Sequence, residues 1–387
     1  MGSASIDKFM GIREQNMLAL INAKENGINV VGTYCSYCPK ELILAAGAVP
    51  VGLCGTSEEP IPAAEKELPR NLCPLIKASY GFAVSDTCPY FHFSDLIVGE
   101  TTCDGKKKMF ELLQRLKPVH VMHLPQLPDQ QSSSNLWYDE IVRLKEALEK
   151  RFAIQITEDA LRRAIHTTNQ QIRAKLELYN LNRNKPSLIS GMDLVTVSWQ
   201  TKFCIDQQEN IVRTEQLVAE LREKAAKGYC VGNLSTPRIL LTGTPVGLGS
   251  EKVIALVEEC GGQIVVMQTC GGYNIADLQV EESDPRDPLI LLAEKYLRIP
   301  CSVMSPNERR LDLLNRMIGD FQIDGVIDLT WQACHTFNVE SFLVGDLVKN
   351  KLNLPFLHIE TDYSNSDREN LRVRIEAFLE IIADHMR

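Results

Sequence analysis

The stretch INVVGTYCSYCPKELILAAGAVPVGL, from Ile28 to Leu53, decides the fold. Residues 28–33 read as a short buried strand. Residues 39–46 read as a helix, with Pro39 near its start and Gly47 after its end. Residues 48–53 read as a second strand. A strand, a helix and a strand in immediate succession make one parallel crossover unit, and parallel crossovers are right-handed.

Working outward, residues 96–100 and 119–124 read as further strands, the latter stopped by Pro125, with a helix over 106–116 between them. The polar stretch 128–134 marks a boundary. From 136 to about 227 the pattern turns helical: residues 138–151, 158–181 and 209–226 carry apolar side chains at three- and four-residue spacing. Alternation resumes at Pro237, with strands over 238–242, 263–268, 325–329 and 356–360. Helices are expected over 250–260, 289–297, 308–318, 339–350 and 368–385. The predicted fold is α/β, with two doubly wound Rossmann-like parallel-sheet lobes. Residues 1–135 form the N-terminal lobe, 136–232 a helical linking region and 233–387 the C-terminal lobe.

With 387 residues, 44% hydrophobic and 24% charged, the chain has the composition of a globular protein with more than one core. A net charge of −9 argues against general nucleic-acid binding, which needs a basic face. No apolar run approaches the roughly 20 residues that span a bilayer. Residues 1–16 lack the charged-then-apolar pattern of a secretory leader. A cytoplasmic protein is expected.

Twelve cysteines are the unusual feature. In a reducing compartment they are not a disulfide framework, and some are expected to be core filler. Ligands of open parallel sheets gather beyond the carboxyl ends of the strands, and five cysteines fall there: Cys35, Cys54, Cys103, Cys270 and Cys334. Cys204 and Cys260 are expected inside helices. Thiolates bind zinc or iron–sulfur clusters. Zinc is usually announced by paired CxxC knuckles, and only Cys35 and Cys38 have that spacing. A thioredoxin-like role for that pair is a further reading, since a helix starting at Pro39 would lower the pKa of Cys35. Separated single cysteines suit a cluster held between two lobes better.

Several ordered segments resemble a known family. Thr33-Tyr34-Cys35 through Pro39-Lys40-Glu41-Leu42 to Ala45-Ala46-Gly47-Ala48 resembles the opening motif of 2-hydroxyacyl-CoA dehydratase and benzoyl-CoA reductase subunits. Asn71-Leu72-Cys73-Pro74-Leu75-Ile76-Lys77 is similar to the segment carrying their first cluster cysteine. Thr102-Cys103-Asp104-Gly105 resembles the second, and Gln332-Ala333-Cys334-His335 falls where the third arises. Within that superfamily the chain is most similar to the double-cubane cluster proteins. These are homodimers holding an [8Fe–9S] cluster, fed by a separate ATP-hydrolysing activator with its own [4Fe–4S] cluster, and they reduce small molecules.

The resemblance implies Cys73, Cys103 and Cys334 as iron ligands in the cleft between the lobes. Cys35, Cys270 and Cys301 are assigned to a second cubane, with Cys54 in reserve. Cys88 precedes its strand and is expected at the wrong end of the sheet; Cys38, Cys204, Cys230 and Cys260 are read as structural. Thr244 stands where the family often has a cysteine, so the glycine-rich turn 243–249 supplies no expected ligand, and that turn matches no nucleotide-binding motif. His335 is the candidate catalytic proton donor. Lys106, Lys107 and Lys108 cannot share one helix face; a solvated surface is their default, and one of them balancing cluster charge is the functional reading. Glu360, Asp362 and Tyr363 are expected at the cleft rim, where Asp362 also reads as a cap. Tyr80, Tyr90, Phe91 and Phe93 are assigned to core or dimer surface.

The implied function is an iron–sulfur reductase driven by an activator protein. The alternatives are a 2-hydroxyacyl-CoA dehydratase subunit with a single [4Fe–4S] cluster, a non-enzymatic electron-transfer or cluster-storage protein, and a zinc-stabilised α/β protein.

Overall fold

A computed structural model describes Phe9 and residues 11–385. Most of the segment read for a secretory leader, residues 1–8 and 10, lies outside the described residues. The first sheet is built from β1 (Val30–Thr33), β2 (Val49–Gly52), β3 (Leu96–Glu100) and β4 (Val119–Met122), in the order β2-β1-β3-β4. The second is built from β5 (Arg238–Gly243), β6 (Gln263–Gln268), β7 (Gly325–Trp331) and β8 (Phe356–Thr361), in the order β6-β5-β7-β8. All pairings are parallel. Two Rossmann-like lobes of one plan result. Each has its topological switch beside its first strand, where crossovers diverge and leave a crevice.

The alternation of side chains along each strand divides the first sheet between two cores. Val30 and Ile97 face a cluster that continues into the second lobe. Val31 and Val98 face a separate cluster with Trp137, Ile141 and Leu144 of the helix Gln131–Phe152. Residues 278–304, although late in the sequence, join that second cluster through Leu278, Leu291, Leu292, Tyr296, Cys301 and Met304. A segment lying between β6 and β7 in sequence thereby completes the first lobe.

Loops at the carboxyl ends of the two sheets clasp each other. Thr56 Oγ1 donates to Leu248 O at 2.7 Å, and Ser36 Oγ to Cys270 O at 3.2 Å. Tyr37 OH donates to Ile299 O at 3.3 Å, and Tyr363 OH to Gly55 O at 3.2 Å. Deeper, Glu41 Oε1 accepts Lys295 Nζ at 2.5 Å and Thr168 Oγ1 at 2.9 Å, while Oε2 accepts Tyr296 OH at 2.7 Å. One buried carboxylate thus binds three elements.

Some boundaries differ from the sequence reading. The polar stretch 128–134 is not all loop: the helix Gln131–Phe152 begins inside it. Serines are modest helix formers, but burial of Ser133 and Trp137 outweighs propensity. Helices Ile12–Glu25, Pro74–Val84, Pro89–Phe93 and Gly191–Gln200 were not anticipated. Pro74–Val84 is buried on nearly all sides, so its sequence shows no polar face. Neither Cys204 nor Cys260 lies inside a helix: the first follows a 3₁₀ turn, and the second is the C-cap of Lys252–Glu259. Among the described residues, no helix is long and apolar enough to cross a membrane.

Candidate cysteine-lined site

Cys73, Cys103 and Cys334 share one local device: each is the N-cap residue of a helix, respectively Pro74–Val84, Asp104–Leu113 and His335–Gly345. A helix N-terminus presents unsatisfied N–H groups and the positive end of the macrodipole, which favours negative charge on sulfur. The turn that swings Cys334 off β7 puts Ala333 at φ 59°, a left-handed conformation uncommon for a residue with a Cβ. Cys73 and Cys334, from opposite lobes, lie close enough for each to shift the other's ionisation, and Cys103 lies within electrostatic reach of Cys73. The Cys73 thiol is held below its ordinary pKa, first by the Cys334 thiol and then by the Leu75 and Ile76 amides, with burial opposing. Cys334 is correspondingly raised, first by Cys73 and then by burial.

The remaining strand-end cysteines adjoin this trio. Cys270 interacts with Cys54 and Cys334, and Cys35 with Cys270 and Cys301. Burial pushes the thiols of Cys35 and Cys270 up, and that of Cys301 to about 12. The expected lowering of Cys35 by a helix start is therefore overturned: desolvation outweighs it. Cys38, the other half of that CxxC, is fully buried in the core and its thiol is likewise raised by burial.

Lys106 sits among these sulfurs. It is 8% exposed, and its Nζ donates to Tyr34 O at 2.8 Å. The same carbonyl accepts Cys54 Sγ at 2.8 Å. Burial works against the Lys106 ammonium, but Cys35, Cys54, Glu100 and Cys103 together hold its pKa above the ordinary lysine value. The lysine triplet therefore splits, because Lys107 and Lys108 are exposed and pair with Asp104 and Glu111. Glu100, at the end of β3, is fully buried, and among the described residues neither of its carboxylate oxygens has a hydrogen-bond partner. Burial raises its pKa to about 7.

A cavity of about 280 Å³ opens beside Cys35, Cys54, Cys270 and Lys106 and extends between the first lobe and the helices Glu158–Asn180 and Gln207–Ala226. His335 is exposed and is not among its walls. Tyr363 lies within reach of Cys54, Cys73 and Cys334 and packs edge-on against Trp331 at 5.0 Å. Asp362 accepts the Ser364 amide at 2.8 Å, a local cap, and Glu360 accepts from Asn338 at 3.0 Å. Tyr80, Tyr90 and Phe91 are core residues. Cys204, Cys230 and Cys260 stand apart, and Cys88 interacts with Tyr34 and Tyr90 rather than with the other thiols. Among the described residues, no three His, Cys, Asp or Glu side chains converge as a mononuclear cage.

The model of the family described as 2-hydroxyglutaryl-CoA dehydratase, D-component, matches residues 35–382. The chain belongs to that family. It is 46% identical to YjiM of Escherichia coli (strain K12), a protein provisionally named as a dehydratase subunit, over 98% of both chains. It is 22% identical to the (R)-phenyllactyl-CoA dehydratase beta subunit of Clostridium sporogenes, over 93% of both. It is also 22% identical to a benzoyl-CoA reductase component of Thauera aromatica, over 96% of this chain and 94% of the relative. The D-component family thus sits in a superfamily of dehydratase and reductase components, and its matched span takes in every strand-end cysteine from Cys35 to Cys334. Sequence reasoning did not single out Glu100, nor Lys175 and Lys202 in the cavity wall. Glu100 carried a usable signal, a carboxylate closing an apolar strand; the lysines of the helical region looked like ordinary surface charge.

Proposed function

We propose that this chain is the cluster-bearing component of a low-potential reductase. It works as a homodimer in the cytoplasm, receives electrons from a separate ATP-hydrolysing iron–sulfur activator, and delivers them to a small molecule in the cavity. The observation that carries the reading is that Cys35, Cys54 and Cys301 each lie within electrostatic reach of Cys270, and Cys270 within reach of Cys334, which acts on Cys73 beside Cys103. Three thiolates suffice for one cubane held by this chain; the additional ones support an [8Fe–9S] double cubane with Cys73, Cys103 and Cys334 on one unit and Cys35, Cys270 and Cys301 on the other.

The donor set fits such a group. Soft thiolates are the ligands iron–sulfur clusters take. Three helix N-termini favour an anionic occupant, as does a buried ammonium with no carboxylate at ion-pair distance among the described residues. All twelve cysteines are free, as a reducing compartment requires. When bound, the cluster supplies one-electron transfer at low potential. The chain's residues do the rest. Lys106 offsets negative charge, the Trp331–Tyr363 pair and the clasped loops limit water, and Glu100 holds a proton near neutral pH within the same interior. His335, exposed beside Cys334, is left as the donor on the outer side.

A second reading, a 2-hydroxyacyl-CoA dehydratase subunit with one [4Fe–4S] cluster, draws on the dehydratase names of the relatives. Anaerobic purification with iron and sulfide analysis separates the two: about eight iron atoms per chain supports the double cubane, about four the dehydratase. A colourless zinc protein would end both.

A further inference from the structure

Three lysines line the cavity: Lys40 at the start of the helix Lys40–Ala45, Lys175 on Glu158–Asn180, and Lys202 in the turn after Gly191–Gln200. They come from separate elements and each is half-buried; Lys202 and Lys40 both disfavour charge on Lys175, and Lys40 disfavours it on Lys202. Among the described residues, none has a carboxylate at ion-pair distance. The nearest candidate, Glu41, is occupied by Lys295, Tyr296 and Thr168. Lys175 Nζ makes one hydrogen bond, to Gly271 O at 2.6 Å, and Lys202 Nζ lies 4.6 Å from the centre of the Trp199 ring. Lys202 feels Cys54 and Cys270, so cluster charge accounts for part of its placement. Lys175 has no cysteine acting on it; burial and the other two lysines take its pKa down to about 7.

Clustered, desolvated like charges are costly unless an opposite charge joins them. Leu44, Ile172, Leu178 and Ile211 supply apolar wall to the same cavity. At about 280 Å³ the space lies at the low end of small-molecule pockets.

We propose that the cavity binds a small organic carboxylate, its anionic end held by Lys40, Lys175 and Lys202 beside Gly271 and its apolar body against Leu44, Ile172, Leu178 and Ile211. The site stands on this geometry and does not depend on the reductase reading above. The carboxylate could belong to a free acid or to the distal end of an acyl thioester, and the two sources are separable.

The test titrates the full-length, anaerobically purified protein by calorimetry, with Trp199 fluorescence as a second signal. The ligands are butanoate, glutarate, glutaryl-CoA, and the neutral control butanamide. Iron is counted in every sample. Carboxylate binding that weakens with salt, is absent for butanamide, and falls about tenfold or more in both Lys175→Met and Lys202→Met, with iron content unchanged, supports the proposal. Glutarate binding as tightly as glutaryl-CoA assigns the free acid; a clear preference for glutaryl-CoA over glutarate assigns the thioester. No carboxylate binding at millimolar concentration, equal binding of butanamide or of inorganic phosphate, or retention of affinity in both variants overturns it. Loss of iron in the lysine variants also overturns it, by assigning the lysines to cluster charge. Carboxylate binding by a protein without iron would uphold the site while defeating the reductase reading.

Discussion

Cys73 and Cys334 are 261 positions apart in sequence (334 − 73), each caps a helix in a different lobe, and each lies close enough to shift the other's ionisation. The pair links the two lobes, and a ligand role for it makes a sharp demand. Cys73→Ser and Cys334→Ser are each expected to lose about half or more of the bound iron and sulfide, since removing one of three thiolates releases its cubane. A Cys334→Ser protein with its full metal complement would remove the assignment.

Lys106 places a fixed positive charge in a dry environment, and a cation there stabilises an added electron. Lys106→Met is expected to shift the midpoint potential negative by on the order of 50 mV, the one-electron equivalent of roughly tenfold in equilibrium constant. Lys107→Met and Lys108→Met, on the exposed side, should leave it in place. Redox titration monitored by electron paramagnetic resonance measures the difference, and an unchanged Lys106→Met potential would discard the charge-balancing role.

Glu100 gives a pH dependence with a definite sign. Its folded pKa, about 7, lies above the ordinary carboxylate value because burial disfavours the charged form. The contribution to stability is full below the unfolded pKa and is lost as pH rises through the folded one. In metal-free protein, Glu100→Gln should therefore gain stability relative to wild type as pH climbs from 5 to 8, by up to about 3 kcal/mol. Urea unfolding at the two pH values reads this directly; equal curves at both would show that Glu100 is not desolvated.

Lys295 and Glu41 form a buried ion pair at 2.5 Å joining the late segment to the first lobe. Removing one partner strands the other, so Lys295→Met is expected to cost about 3–5 kcal/mol. The double change Lys295→Met with Glu41→Gln should recover much of that loss. A single variant as stable as wild type in thermal unfolding would mean that the pair carries no such coupling.

Periodicity made the strands legible. Residues 96–100 and 263–268 coincide with β3 and β6, and the closing helix coincides with Arg368–His385. Strand ends plus the rule for open parallel sheets predict Cys35, Cys54, Cys103, Cys270 and Cys334 at the carboxyl ends of the strands. Burial was not legible. Lys106 and Lys107 are neighbours of one type, yet one is enclosed and the other solvated, and only the helix's rotation against the sheet separates them. The lowered pKa expected for Cys35 failed for the same reason, since desolvation depends on what the rest of the chain stacks over it. Lys175 and Lys202 were invisible because a cavity wall is a property of several segments at once.

Residues 278–304, packed into the first lobe's second core, bear on how the protein is made. When synthesis has passed the helical region, the surface that Leu291, Leu292 and Tyr296 will cover is still bare, and Glu41 has no cation beside it. Truncation after residue 232 should accordingly give an aggregating fragment rather than a free-standing half, and productive folding waits for nearly the whole polypeptide to leave the ribosome.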